Sequence, residues 1–160
     1  MKDKLIREII DDEKRGMTLI VKTVARMMIA MVLLFGFYVI LYGHLTPGGG
    51  FAGGVILAIG YTLMMLAFSK DMALKKFSNF WSSMFDNMGM LAFLLIGFVG
   101  FWFGSFMVNF VNHGTEFSLL SGGYIPLANL AIGIKVGAAL YAIFISLSIY
   151  GRLVLKGQED

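Results

Sequence analysis

The 160-residue chain has no cysteine, two prolines and two histidines. Without thiols it forms no disulfides, no thiolate metal sites and no cysteine-ligated iron–sulfur clusters. His44 and His113 alone leave little scope for haem. Charge is scarce: 14% of residues are charged, against about one quarter in an average soluble domain. There is no Walker motif, no paired intramembrane carboxylates, no metal cluster and no nucleophile beside a base. The chain is therefore not expected to be a self-sufficient enzyme, to bind a metal or to carry a cofactor.

Apolar residues make up 58% of the chain and are clustered. Four nearly charge-free segments lie at about 18–42, 51–69, 88–112 and 127–150, each near the roughly 20 apolar residues that span a bilayer core. None has the polar stripe of a soluble bundle helix. The expected fold is an all-α integral membrane protein with four transmembrane helices in one domain, 17–151. The first 16 residues are charged, and the apolar run after them is too long for a signal-peptide core. Met1–Gly16 places Leu5, Ile6, Ile9 and Ile10 on one helical face, as an amphipathic helix lying at the interface does. Residues 152–160 are read as a tail.

Twelve of the thirteen basic residues fall in the N-terminal region and foot of the first helix, in the connection carrying Lys70, Lys75 and Lys76, or in the tail. Four spans put all three regions on one side. The other side, Gly43–Gly50 and His113–Leu127, has no Lys or Arg. The positive-inside rule then predicts cytoplasmic termini, so the net charge of +3 reflects topology rather than nucleic-acid binding. Lys22 and Arg26 are read as headgroup anchors, and Tyr38 and Tyr42 as part of the outer aromatic belt. Asp86, in the polar stretch Lys70–Asn87, is expected to cap the third helix. Gly97, Gly100 and Gly104 would form one strip along that helix, open to a neighbouring backbone. Gly53 and Gly60 lie on one face of the second helix. Pro126 suits a helix start.

The exception among the basic residues is Lys135, about eight residues or roughly 12 Å into the fourth helix. An ammonium at that depth costs at least a few kcal/mol unless it is compensated. By helical spacing its face carries Ala128, Ala131, Ala138, Ala139, Ala142 and Ser146, with Ile132 the one large neighbour; the opposite face carries Gly133 and Gly137. Both faces thus admit close neighbours. With Asp86 and Glu116 both read as loop residues, the counter-ion of Lys135 is expected on another polypeptide. Lys135 then lies on an ion path or forms a bridge that holds subunits together.

The connection between the first two helices reads GHLTPGGGFAGG (Gly43–Gly54). Its glycines, Gly48, Gly49, Gly50, Gly53 and Gly54, permit close backbone approach. They either present helix N-terminal N–H groups to an ion or allow a tight turn against a neighbour. His44 is a proton donor at the mouth of a path or a hydrogen-bonding turn residue.

The run GHLTPGGGFAGGVILA (Gly43–Ala58) resembles the signature of the MrpB/MnhB family, and PLANLAIGIKVG (Pro126–Gly137) resembles its second signature. Gly89 also fits, and the likeness spans about Val21 to Tyr150. The resemblance implies a small subunit of an Mrp-type multisubunit cation/proton antiporter, or of related membrane-bound hydrogenase-type complexes whose redox chemistry lies in other subunits. It implies Na+ and H+ as transported ions, with the other subunits and the lipid bilayer as partners. It also implies ion-path roles for Lys135, Pro47 and Phe51. An ammonium repels Na+, so Lys135 is expected to gate by charge or relay a proton rather than ligate the ion. A scaffold that joins ion-translocating neighbours without lining the path is the alternative.

Overall fold

The computed structural model describes residues 17–68, 78–111, 117–118 and 121–156. Its helices are α1 (Leu19–Leu41), α2 (Gly50–Phe68), α3 (Asn79–Trp102) and α4 (Ile125–Lys156). All four are long and apolar enough to cross a membrane, and no strand occurs among the described residues. The N-terminal amphipathic segment, His113 and Glu116 lie outside those residues.

The helices pack in the order α1, α2, α4, α3, with α1 also reaching α4. Lipid gives helices no hydrophobic reason to associate, so close contact depends on small residues. A Cβ on Gly53 would strike Ile40, and one on Gly60 would strike Leu33, which sets α1 antiparallel to α2. A Cβ on Gly54 would lie 2.8 Å from the Gly133 carbonyl oxygen and 3.2 Å from the Gly137 nitrogen, so α2 and α4 run parallel with backbones nearly touching. Ile40, fully buried, is the residue that a Cβ on Gly53 or on Gly133 would meet, which ties α1 to both neighbours. Toward the opposite end, Tyr141, Ile145 and Met65 close the α2–α4 contact with Tyr61. There Arg26 lies 5.7 Å from the Phe68 ring centroid.

The third helix departs from expectation. It starts at Asn79 rather than near 88 and ends at Trp102 rather than near 112. The polar residues Ser82, Ser83, Asp86 and Asn87 made its beginning look like loop, whereas Ser82 is fully buried and donates to the Ala138 carbonyl at 2.8 Å. Asp86 is therefore no N-cap; Ser78 holds that position. Beyond Trp102 the apolar residues fold back. Gly104 has φ +129 and Met107 φ 62, and the Met107 N–H reaches the Gly97 carbonyl at 3.4 Å. The strip of Gly97, Gly100 and Gly104 is accordingly not a helix-packing surface. A Cβ on Gly97 would meet the Phe106 ring and one on Gly100 the Ser105–Val108 backbone, while Gly104 has nothing within 4 Å. α4 runs six residues beyond the expected end at 150, to Lys156.

Candidate functional site: an ion pair between α3 and α4

α3 and α4 pack antiparallel along a seam with three contacts. Ser82 bonds Ala138; Asp86 faces Lys135; a Cβ on Gly89 would sit 2.8 Å from both the Ala131 carbonyl oxygen and Lys135 Cβ. On α3 these residues are spaced i, i+4, i+7, one helical face. The alanine-lined face of α4 is thus filled by the chain's own third helix. Lys135 Nζ lies 3.5 Å from Asp86 Oδ1. The expectation of a counter-ion on another polypeptide is corrected: with α3 beginning nine residues earlier, Asp86 sits inside a helix and reaches the lysine. Ser82 and Asp86 are what sequence reasoning missed. The signal is their common helical face with Gly89, masked by a run of polar residues that resembles a loop.

Ten residues into α4, Lys135 lies roughly 15 Å from the helix start, about half the thickness of a bilayer core. The lysine and aspartate side chains are 38% and 36% exposed. Asp86 Oδ1 is shielded from solvent and accepts no hydrogen bond. The pair is thus partly exposed and loosely held, at 3.5 Å where a charge-assisted N–H···O bond is usually about 2.7–2.9 Å.

The glycine turn forms a second locus. Gly49 has φ +125, a conformation that favours glycine, and the Gly53 N–H bonds its carbonyl at 3.0 Å. The Gly50 N–H is taken by Asn129 Oδ1 at 3.3 Å, and a Cβ on Gly50 would strike the Asn129 backbone. Gly48 abuts Val39. The first helical N–H of the turn is thus taken by α4. Pro47 is exposed, and Phe51 is 67% exposed. His44 Nε2 lies 3.4 Å from the Ser118 carbonyl, a contact that needs the proton on Nε2, and its shielded Nδ1 has no partner. Gly122 packs against the same ring. Nearby, Asn109 Oδ1 accepts the N–H groups of Val111 and Tyr124, fastening the returning segment to the start of α4.

The two loci are separate. Gly133 and Gly137 face α2, with the nearest α2 atom to a Cβ on Gly137 being the Gly54 oxygen at 3.4 Å. Lys135 points to the other side of α4, since two residues along a helix turn about 200°. Among the described residues no group of three His, Cys, Asp or Glu side chains stands ready for a metal ion.

Residues 20–142 match the family described as a domain related to the MnhB subunit of Na+/H+ antiporter. An uncharacterized protein of Methanocaldococcus jannaschii is 35% identical over 130 residues, covering 77% of this chain and 49% of that protein. A putative antiporter subunit mnhB2 of Staphylococcus aureus strain Newman is 43% identical over 56 residues, 35% of this chain and 40% of that one. A chain in the structure of the membrane-bound sulfane sulfur reductase, an archaeal respiratory membrane complex, superposes with TM-score 0.68 at 31% identity, covering 82% of this chain and 60% of its own length. The chain thus spans about half the length, or less, of the curated relatives it matches. Four membrane-length helices, glycine-mediated packing and these matches lead to one conclusion: the chain belongs to the MnhB-related domain family.

Proposed function

We propose that the chain is an integral subunit of an Mrp-type cation/proton antiporter module, contributing to Na+/H+ translocation within a larger complex. That complex is a stand-alone antiporter or the membrane arm of a hydrogenase or other oxidoreductase. The subunit itself performs no catalysis and carries no cofactor. Both termini are cytoplasmic, a reading supported by the distribution of basic residues along the sequence. The observation that carries the proposal is the partly exposed Lys135–Asp86 pair near mid-membrane. Ionisable groups at that depth are expensive, and they characteristically mark ion and proton pathways. Pro47 and Phe51, exposed beside the glycine turn, are assigned to the surface that meets a neighbouring subunit along the path.

A scaffold role is the second reading. It is favoured by the fact that Lys135 already has a carboxylate within its own chain. The test is Lys135→Ala and Lys135→Arg in the native complex, scored for assembly and for Na+-dependent proton flux in vesicles. Assembly with lost flux in the alanine variant supports the transport reading. Normal flux in that variant assigns the chain to scaffold.

A further inference from the structure

We propose that Asp86 is the cation-binding carboxylate of this subunit: a transported Na+ and the Lys135 ammonium occupy it in alternation, and Lys135 releases one proton as the Na+ arrives. This deepens the transport reading and rests on it. Asp86 is the only carboxylate among the described residues, so it is the one anionic oxygen ligand they offer within a span. A hard monovalent cation seeks such oxygens, and water or a neighbouring subunit supplies its remaining ligands.

The local geometry suits exchange. Above and below the pair the seam is tight: Ser82 is locked to Ala138 at 2.8 Å, and Gly89 is closed against the Lys135 backbone. Between them the ion pair is long at 3.5 Å, Asp86 Oδ1 has no hydrogen bond, and both side chains are more than one-third exposed. The carboxylate is neutralised but not locked, and its side chain is partly exposed beside the pair.

Electrostatics supply the coupling. The pair of carboxylate and ammonium has zero net charge. Adding Na+ would leave an uncompensated +1 in a poorly solvating setting, which is unfavourable. Loss of one proton from Lys135 restores neutrality, so one Na+ bound corresponds to one H+ released. Lysine can make that change and arginine cannot. Other ionisable side chains have contacts away from the pair: Arg26 is over Phe68, Tyr61 and Tyr141 face each other with centroids 5.6 Å apart, Tyr38 stacks on Tyr42, Tyr124 stacks on Phe110, and His44 is on Ser118.

The first test uses the wild-type complex in vesicles. In weakly buffered medium with an uncoupler present, replacing choline by Na+ should release about one H+ for each Na+ bound, and an Asp86→Asn complex should bind Na+ about fivefold more weakly or worse. Na+ binding without proton release, or Na+ binding that Asp86→Asn leaves unchanged, would overturn the proposal. The second test is the Na+ dependence of proton flux. Asp86→Glu, which keeps the charge but moves it, should shift the half-maximal Na+ concentration, and Lys135→Arg should abolish exchange. An Asp86→Asn complex that exchanges normally removes Asp86 from the site. If Lys135→Ala is inactive in that same assay, the broader transport reading still stands. If Lys135→Ala is also normal, both readings fall together.

Discussion

Gly89→Ala puts the α3–α4 seam under the smallest useful stress. The new Cβ would lie 2.8 Å from the Ala131 carbonyl oxygen, 2.8 Å from Lys135 Cβ and 2.9 Å from the Lys135 nitrogen. Two of those three atoms are backbone and cannot rotate away. Restoring an ordinary separation of about 3.5 Å requires the helices to part by about 0.7 Å. Overpacking of this kind costs about 1–3 kcal/mol, and the better helix propensity of alanine returns up to about 1 kcal/mol. The expected net loss is about 1–2 kcal/mol, a roughly 5- to 30-fold shift toward the opened or unfolded chain. The same parting would stretch the 3.5 Å ion pair. Gly137→Ala is the internal control: its Cβ would meet the Gly54 oxygen at 3.4 Å and Leu57 Cβ at 3.7 Å, with no clash. It should be neutral or stabilising by up to about 1 kcal/mol through propensity alone. The assay is unfolding of the purified chain in mixed micelles by titrated denaturing detergent, followed by circular dichroism. Opposite displacements of the two midpoints are expected. Equal destabilisation by both substitutions would refute the reasoning, because it is the close contacts that distinguish the two sites.

Two further expectations concern the glycine-turn end. Asn109→Ala removes the acceptor for the Val111 and Tyr124 N–H groups; a loss of about 1–3 kcal/mol should appear as faster amide exchange across 103–111, with α1 and α2 unchanged. Phe51→Ala removes a ring that is 67% exposed, so the isolated chain should keep its stability to within about 0.5 kcal/mol. Recovery of the assembled complex should nevertheless fall; unchanged recovery together with unchanged flux would remove Phe51 from the partner surface.

How much of this was legible depended on what each segment contrasts with. α1 and α2 fall within one residue of their expected bounds because a turn of polar and glycine residues separates two strongly apolar runs. α3 had no such contrast: the apolar character continues from Phe80 to Val111, so hydropathy alone could not say which part is helical. Polarity then misled, since Ser82 bonds α4 and Asp86 faces Lys135 of α4 from within a helix. The two-faced character of α4 was readable from small residues at helical spacing. The identity of its neighbours was not, because an alanine face fits any close helix. Placing α3 against it turned a lysine with no visible partner into half of a pair. The tight approach of Gly54 to Gly133 and Gly137 is likewise a tertiary fact, although the glycines that permit it are plain in the sequence.

The central claim is that the Lys135–Asp86 pair works as an exchange site rather than as a brace. The most direct measurement is a double-mutant cycle in the native complex: Asp86→Asn, Lys135→Ala and both together, each scored for assembly and for Na+-dependent proton flux. Each single change leaves one charge uncompensated within the membrane, a disturbance that can cost about 3–5 kcal/mol for a buried pair and less here because both groups are partly exposed. The double change leaves no charge. The account predicts that the double variant assembles as well as wild type and moves no Na+ against H+. A double variant that assembles and exchanges normally would contradict it, and would make the pair a structural element of the seam.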